Sequence, residues 1–189
     1  MEARGVAASK KKARREGRTI VFIDESGLST RPHRVRTWAP RGQTPVLRET
    51  FNWDKLSVIA GLTLRQFYFR IYEGSINGER AAEFLQALLR HLPGKLLVIW
   101  DGAAIHRSRP VKAVLVQSAG RLWLEKLPAY APELNPVEYL WAHLKEHQIA
   151  NLLVEHGWEL SLHATRALRR MRRRPRIIRA CWHQAELCL

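Results

Sequence analysis

The sequence predicts an α/β fold: a mixed sheet flanked by helices, followed by a helical, basic C-terminal extension. Three observations predict it. The runs TIVFI and KLLVIW are strand-sized and apolar, the first rich in β-branched residues. Helical periodicity alternates with strands in the second half, which favours parallel pairing, whereas two adjacent strand-like runs near residue 65 favour an antiparallel hairpin. Finally, 189 residues at 46% hydrophobic and 26% charged suffice for one domain with a buried core.

Each element has its own signal. Residues 1–18 read as a solvated basic tail, too poor in apolar residues to pack. Residues 19–24, TIVFID, form the first strand, and residues 25–45 read as loop, punctuated by Gly27, Pro32, Pro40, Gly42 and Pro45. Residues 55–64 and 66–72 are the hairpin strands. Residues 77–91 are helical, because Ala81, Phe84, Leu85, Leu88 and Leu89 recur at three- and four-residue steps, and Pro93-Gly94 ends the run. A buried strand follows at 95–101, a helix at 108–119 with Pro110 in its first turn, and a strand at 121–126. A helix is expected from 136 to 147 and more helix over 150–180. This order matches the ribonuclease H-like arrangement. It divides the chain into a tail (1–18), a catalytic-type domain (19–150) and an Arg-rich extension (151–189).

The net charge is +15, which favours a polyanionic partner, nucleic acid first. The charge is unevenly spread. Residues 1–19 hold seven bases against two acids, and residues 166–179 hold eight arginines and no acid. The body between them is nearly neutral. The sequence therefore assigns DNA-backbone binding to Lys10, Lys11, Lys12, Arg14 and Arg15 and to Arg169, Arg170, Arg172, Arg173 and Arg174, with Leu168 and Met171 as a packing stripe. No apolar run approaches the roughly 20 residues that cross a bilayer, so no membrane partner is expected. Two cysteines, Cys181 and Cys188, make neither a disulfide framework nor a four-ligand zinc site. There is no phosphate-cradling glycine loop, and Ser26 has no evident base partner.

The chemistry points to carboxylates. Ile20, Phe22 and Asp24 share one strand face, as do Leu97, Ile99 and Asp101. Parallel neighbours would bring the two strand ends to about 4.8 Å, where two carboxylates repel unless a cation lies between them. Asn135 is a plausible N-cap with Pro136 at the first helical position, so Glu138 falls in the first turn. Three acids could hold two divalent metals for phosphoryl transfer, Mg²⁺ preferring carboxylate oxygen. Taken singly, each signal has an ordinary explanation: Asp after a strand forms turns, and Glu138 three residues past Asn135 fits a capping box. The conjunction carries the reading.

The run Tyr130–Trp141, YAPELNPVEYLW, strongly resembles the third-acid motif of DDE transposases, especially the insertion-sequence-630 group of the mariner-like superfamily. Phe22–Gly27 looks like the first-acid strand, Arg36–Gln43 like the tryptophan-glycine loop, and Trp100–Ser108 like the second-acid block. The blocks stand in family order across about residues 10–150, and thirty-six residues separate Asp101 from Glu138, close to the short spacing of this superfamily. The resemblance implies that Asp24, Asp101 and Glu138 are the metal-binding catalytic triad. It implies Mg²⁺ or Mn²⁺, two ions, as cofactor, and cutting of transposon-end DNA followed by joining of its 3′-hydroxyl to target DNA, with TA favoured. Double-stranded DNA ends and target, a homo-oligomer and a cytoplasmic, nucleoid-associated, prokaryote-like setting are implied too. Gly102 departs from the family, where many relatives carry Asn. Relatives also carry a helix-turn-helix region before the catalytic domain. This sequence starts almost at the first catalytic strand, so that region is expected upstream, in a second reading frame or missing from a truncated copy.

Other residues invite roles. Glu25, His106, Trp38 and Asn135 are candidates for supporting the triad or touching DNA, Glu25 pointing away from Asp24 by strand alternation. Trp100 and Trp123 are expected in the core, while Trp38 and Trp53 could stack bases. His143-x-x-Glu146-His147 fits the inverted zinc-peptidase pattern, but His143 and His147 lie roughly 140° and 180° around the helix from Glu138. A non-catalytic DNA-binding remnant is the other alternative.

Overall fold

In the computed structural model, residues 11–47, 54–128, 132–185 and 187 are described. Five strands, β1 (Arg18–Ser29), β2 (Lys55–Leu62), β3 (Phe67–Glu73), β4 (Lys95–Trp100) and β5 (Leu122–Lys126), form one sheet in the order β3-β2-β1-β4-β5. β1, β2 and β3 run antiparallel in turn, whereas β4 is parallel to both β1 and β5. This is the ribonuclease H-like sheet. The helices are α1 (Gly78–His91), α2 (Arg109–Gln117), α3 (Pro136–His143), α4 (Gly157–Arg172) and α5 (Pro175–Gln184).

Strand alternation sends side chains to two cores. Val21, Ile23, Val98 and Trp100 pack with Phe84, Leu85, Leu88 and Val111 of α1 and α2. Phe22, Leu97 and Ile99 pack on the other face with Val137, Leu140, Leu160, Leu168, Met171 and Trp182 of α3, α4 and α5. The C-terminal helices therefore share the main core. Phe22 meets Trp182 edge-on at 5.3 Å between ring centroids, and Trp182 Nε1 donates to the Thr63 carbonyl at 3.0 Å. Among the described residues no helix is long and apolar enough to cross a membrane.

Several elements differ from the sequence reading, each for a tertiary reason. β1 runs on to Ser29, because Glu25–Ser29 pair with Lys55–Ile59 of β2; no local pattern announces that partner. Residues 11–15 are helical, and Ala13, 1% exposed, packs into the main core, so this part of the basic tail is anchored. The expected helix over 150–180 is two helices. Pro175 lacks an N–H and bars its predecessor from helical geometry, and Arg174 is extended at φ −114° and ψ 91°. Residues 150–156 are not helical. α3 ends at His143 and widens into a π turn over Leu144–Gln148. Trp100 is core at 1% exposure, but Trp123 is only half-buried, with Lys12 Nζ 3.4 Å above its ring. Cys181 is buried, and burial pushes its thiol up to about 11, so it stays protonated. Cys188, Lys10 and Trp53 lie outside the described residues.

Candidate active site

The last register pair between the parallel strands β1 and β4 is Phe22 with Ile99. Asp24 and Asp101 each stand two residues beyond it, and Asp24 faces α3. Asp101 follows the end of β4. Asp24 lies inside β1 rather than at its end, since β1 continues against β2. The site forms where β4 stops and β1 goes on.

α3 approaches this point through its N-terminus. Asn135, 3% exposed, caps it: Oδ1 accepts from the Val137 N–H at 3.2 Å. Its Nδ2 donates to the Ile23 carbonyl at 3.4 Å, joining the helix start to the residue before Asp24. Glu138 lies in the first turn of α3, exposed. Trp141, three residues on and on the same helix face, donates from Nε1 to Asp24 Oδ2 at 2.7 Å. The sequence places Trp141 at the end of the third-acid motif without a role of its own; its spacing from Glu138 is the signal that could have found it.

Asp24 is 7% exposed. Burial first, then the charge of Glu138, raises its carboxyl from the ordinary 3.8 to about 8; Glu25 and Asp101 add to this, and the Trp141 hydrogen bond opposes it. The carboxylates are thus near enough to disfavour one another's charge, and a divalent cation is the natural relief. The donor set, three carboxylates and no sulfur, fits a hard cation such as Mg²⁺ or Mn²⁺. Among the described residues no three such side chains are drawn tightly around a single point as they stand.

His106 and Glu25 complete the rim. The His106 ring, 2% exposed, stacks on Trp100 at 3.7 Å between centroids. Its Nδ1 lies 3.2 Å from the Asp101 backbone carbonyl and 2.7 Å from Asp101 Oδ1, and its Nε2 meets Glu25 Oε1 at 3.1 Å. Glu25 Oε2 also accepts from Trp100 Nε1 at 3.2 Å. Glu25 does point away from Asp24, as alternation predicts, and His106 links it back to Asp101 around the strand end. Burial alone would depress the His106 pKa; the hydrogen bond and charge of Glu25, with Asp101 behind them, outweigh it and raise it. Asp101 Oδ1 also accepts from the Ala103 N–H at 2.9 Å, which fixes the carboxylate.

The basic residues separate. Arg166, Arg169, Arg170, Arg173 and Arg174 line one open cleft of about 560 Å³ at the α4–α5 junction, while Ala164, Ala167, Leu168 and Met171 turn inward. Arg172 instead faces Phe69. Arg170 donates twice to Gln148 Oε1, at 3.2 and 2.9 Å. Lys12 is engaged with Trp123, and Lys11, Arg14 and Arg15 are exposed. Trp38 is fully exposed. The His143 and His147 rings are 5.0 Å apart. Burial, then His147 and Arg174, depress the His143 pKa.

This sheet with an acid-lined strand end is the arrangement of metal-dependent nucleases and their relatives. Residues 19–160 match the family model described as DDE superfamily endonuclease, and the chain belongs to that family. Its fold is similar to that of the mariner Mos1 paired end complex with Mg, with a TM-score of 0.67 and 21% identity. That match covers 99% of this chain and 60% of the other, so the chain spans about three-fifths of that transposase's length. The Mos1 transposase catalytic domain bound to raltegravir with Mn matches with a TM-score of 0.63 at 18% identity, covering 98% of this chain and 90% of that one. The catalytic domain of Mos1 mariner transposase alone gives 0.54 at 17%, covering 100% and 94%. No curated protein matches in sequence.

Proposed function

We propose that the chain is the catalytic part of a transposase, of the mariner-like and insertion-sequence-630 kind. It would cut DNA at a transposon end and join the released 3′-hydroxyl to target DNA. The observation that supports this is the nearness of Glu138 and Asp101 to the buried Asp24, whose carboxyl is raised to about 8 by burial first and then by Glu138. In this reading the catalytic unit is residues 19–150, with 151–189 a basic extension packed on its sheet. The whole enzyme works as an oligomer, near the nucleoid, with a helix-turn-helix region encoded upstream.

Asp24, Asp101 and Glu138 would hold two Mg²⁺ or Mn²⁺ ions. When bound, these supply activation of the attacking oxygen and neutralisation of the leaving one. The chain's own residues do the rest. Trp141 holds one oxygen of Asp24 and leaves the carboxylate oriented. His106 and the Ala103 N–H do the same for Asp101. Asn135 fixes Glu138 by tying the start of α3 to β1. The arginine cleft supplies backbone phosphate contacts, and Trp38 is free to stack on a base.

The test is cleavage of labelled DNA carrying the element's ends, with Mg²⁺. Wild-type protein should cut, and Asp24→Asn, Asp101→Asn and Glu138→Gln should each lose cutting. Undiminished cutting by any of the three would overturn the triad. Salt-sensitive, metal-independent DNA binding without cutting would favour a non-catalytic remnant instead.

A further inference from the structure

We propose that Lys126 is a substrate-positioning residue, its ammonium gripping a phosphate of the DNA strand held at the acid site, and that Gly102 is the opening that lets it do so. This rests on the DNA-cutting reading above. β5 is parallel to β4, and Lys126 is its last residue, in register with Trp100. It therefore reaches the same rim as Asp101. A Cβ placed on Gly102 would lie 2.3 Å from Lys126 Cε and 2.9 Å from Nζ, so the lysine stem lies directly across the Gly102 backbone. A side chain at 102 would require the end of the lysine to shift.

The ammonium is not committed to a neighbour. Lys126 is exposed and makes no ion pair within 4 Å among the described residues. Asp101, one residue from Gly102, has its Oδ1 engaged by His106 and by the Ala103 N–H. On the same residue Arg107 Nη2 reaches the Gly102 carbonyl at 3.5 Å. Two cations thus converge on the backbone beside a cluster of acids. Those acids repel a phosphodiester, and a cation next to them offsets that repulsion where the strand must enter. Lysine suits the task, being a compact point charge on a flexible stem.

The experiment is a salt titration of binding to a short duplex, read by fluorescence anisotropy without divalent metal. Removing the cation that neutralises one phosphate reduces the slope of log K against log salt by about 0.9. Lys126→Gln should show that reduction, Lys126→Arg should restore the slope, and Lys112→Gln, an exposed lysine on α2, should leave it unchanged. Gly102→Ala should weaken binding although the net charge is unaltered. A wild-type slope in Lys126→Gln, or an equal reduction in Lys112→Gln, overturns the proposal while the transposase reading stands. Wild-type protein that binds no DNA overturns both.

Discussion

Replacing Asp24 with Asn should stabilise the fold at neutral pH without metal, although it removes a proposed catalytic group. In the unfolded chain the carboxyl ionises near 3.8, and in the fold near 8. Between these values the native state keeps a proton that the unfolded state has lost, so stability falls as pH rises from about 4 to about 8 and is fullest below that window. At pH 7 the gap of roughly three pK units corresponds to about 4 kcal/mol, at about 1.4 kcal/mol per unit. Asn removes this penalty and still offers Trp141 Nε1 an acceptor. With relaxation and water entry, about 2–4 kcal/mol should be recovered, or roughly 4 °C or more in Tm for a chain of this size. Urea unfolding with a chelator, at pH 5 and pH 7, measures it. The advantage of Asp24→Asn should shrink towards pH 5. Added Mg²⁺ should raise the stability of the wild type by mass action and leave the variant unmoved. An Asn variant less stable than wild type at pH 7, or an advantage that does not change with pH, would refute the reasoning.

Other substitutions separate the supporting contacts. Trp141→Phe removes a hydrogen bond that holds the Asp24 pKa down, so that pKa, followed by carboxyl NMR, should rise further and stability should fall by about 1–3 kcal/mol. Asn135→Ala removes a helix cap and the tie to Ile23 and should cost about 1 kcal/mol in urea unfolding. Arg169→Gln, Arg170→Gln and Arg173→Gln together should flatten the salt dependence of DNA binding by about 0.9 for each phosphate no longer neutralised, with little change in Tm.

How much the sequence revealed follows from which signals are local. The period of two placed Asp24 and Asp101 on the faces of Phe22 and Ile99, and the helix-start grammar of Asn135 and Pro136 placed Glu138 in a first turn. The hairpin and the parallel pairs followed from element order. What stayed hidden depends on contacts between distant segments. The extension of β1 to Ser29 needs β2 alongside it. The Glu25–His106–Asp101 link wraps a strand end whose two sides no periodicity connects. The arginine block showed its packing stripe in Leu168 and Met171, but the cleft exists because Pro175 breaks the helix. Lys126 carries no local signal at all; only the Gly102 backbone beneath it, in the loop that follows β4, gives it a place.

The central claim is that Asp24, Asp101 and Glu138 act together on a divalent ion. Titration with Mn²⁺, followed by its paramagnetic signal and by competition with Mg²⁺, tests it most directly. Wild-type protein should bind Mn²⁺ and release it to Mg²⁺, and Asp24→Asn, Asp101→Asn and Glu138→Gln should each weaken that binding while remaining folded. Folded single variants that hold Mn²⁺ as tightly as the wild type would contradict it.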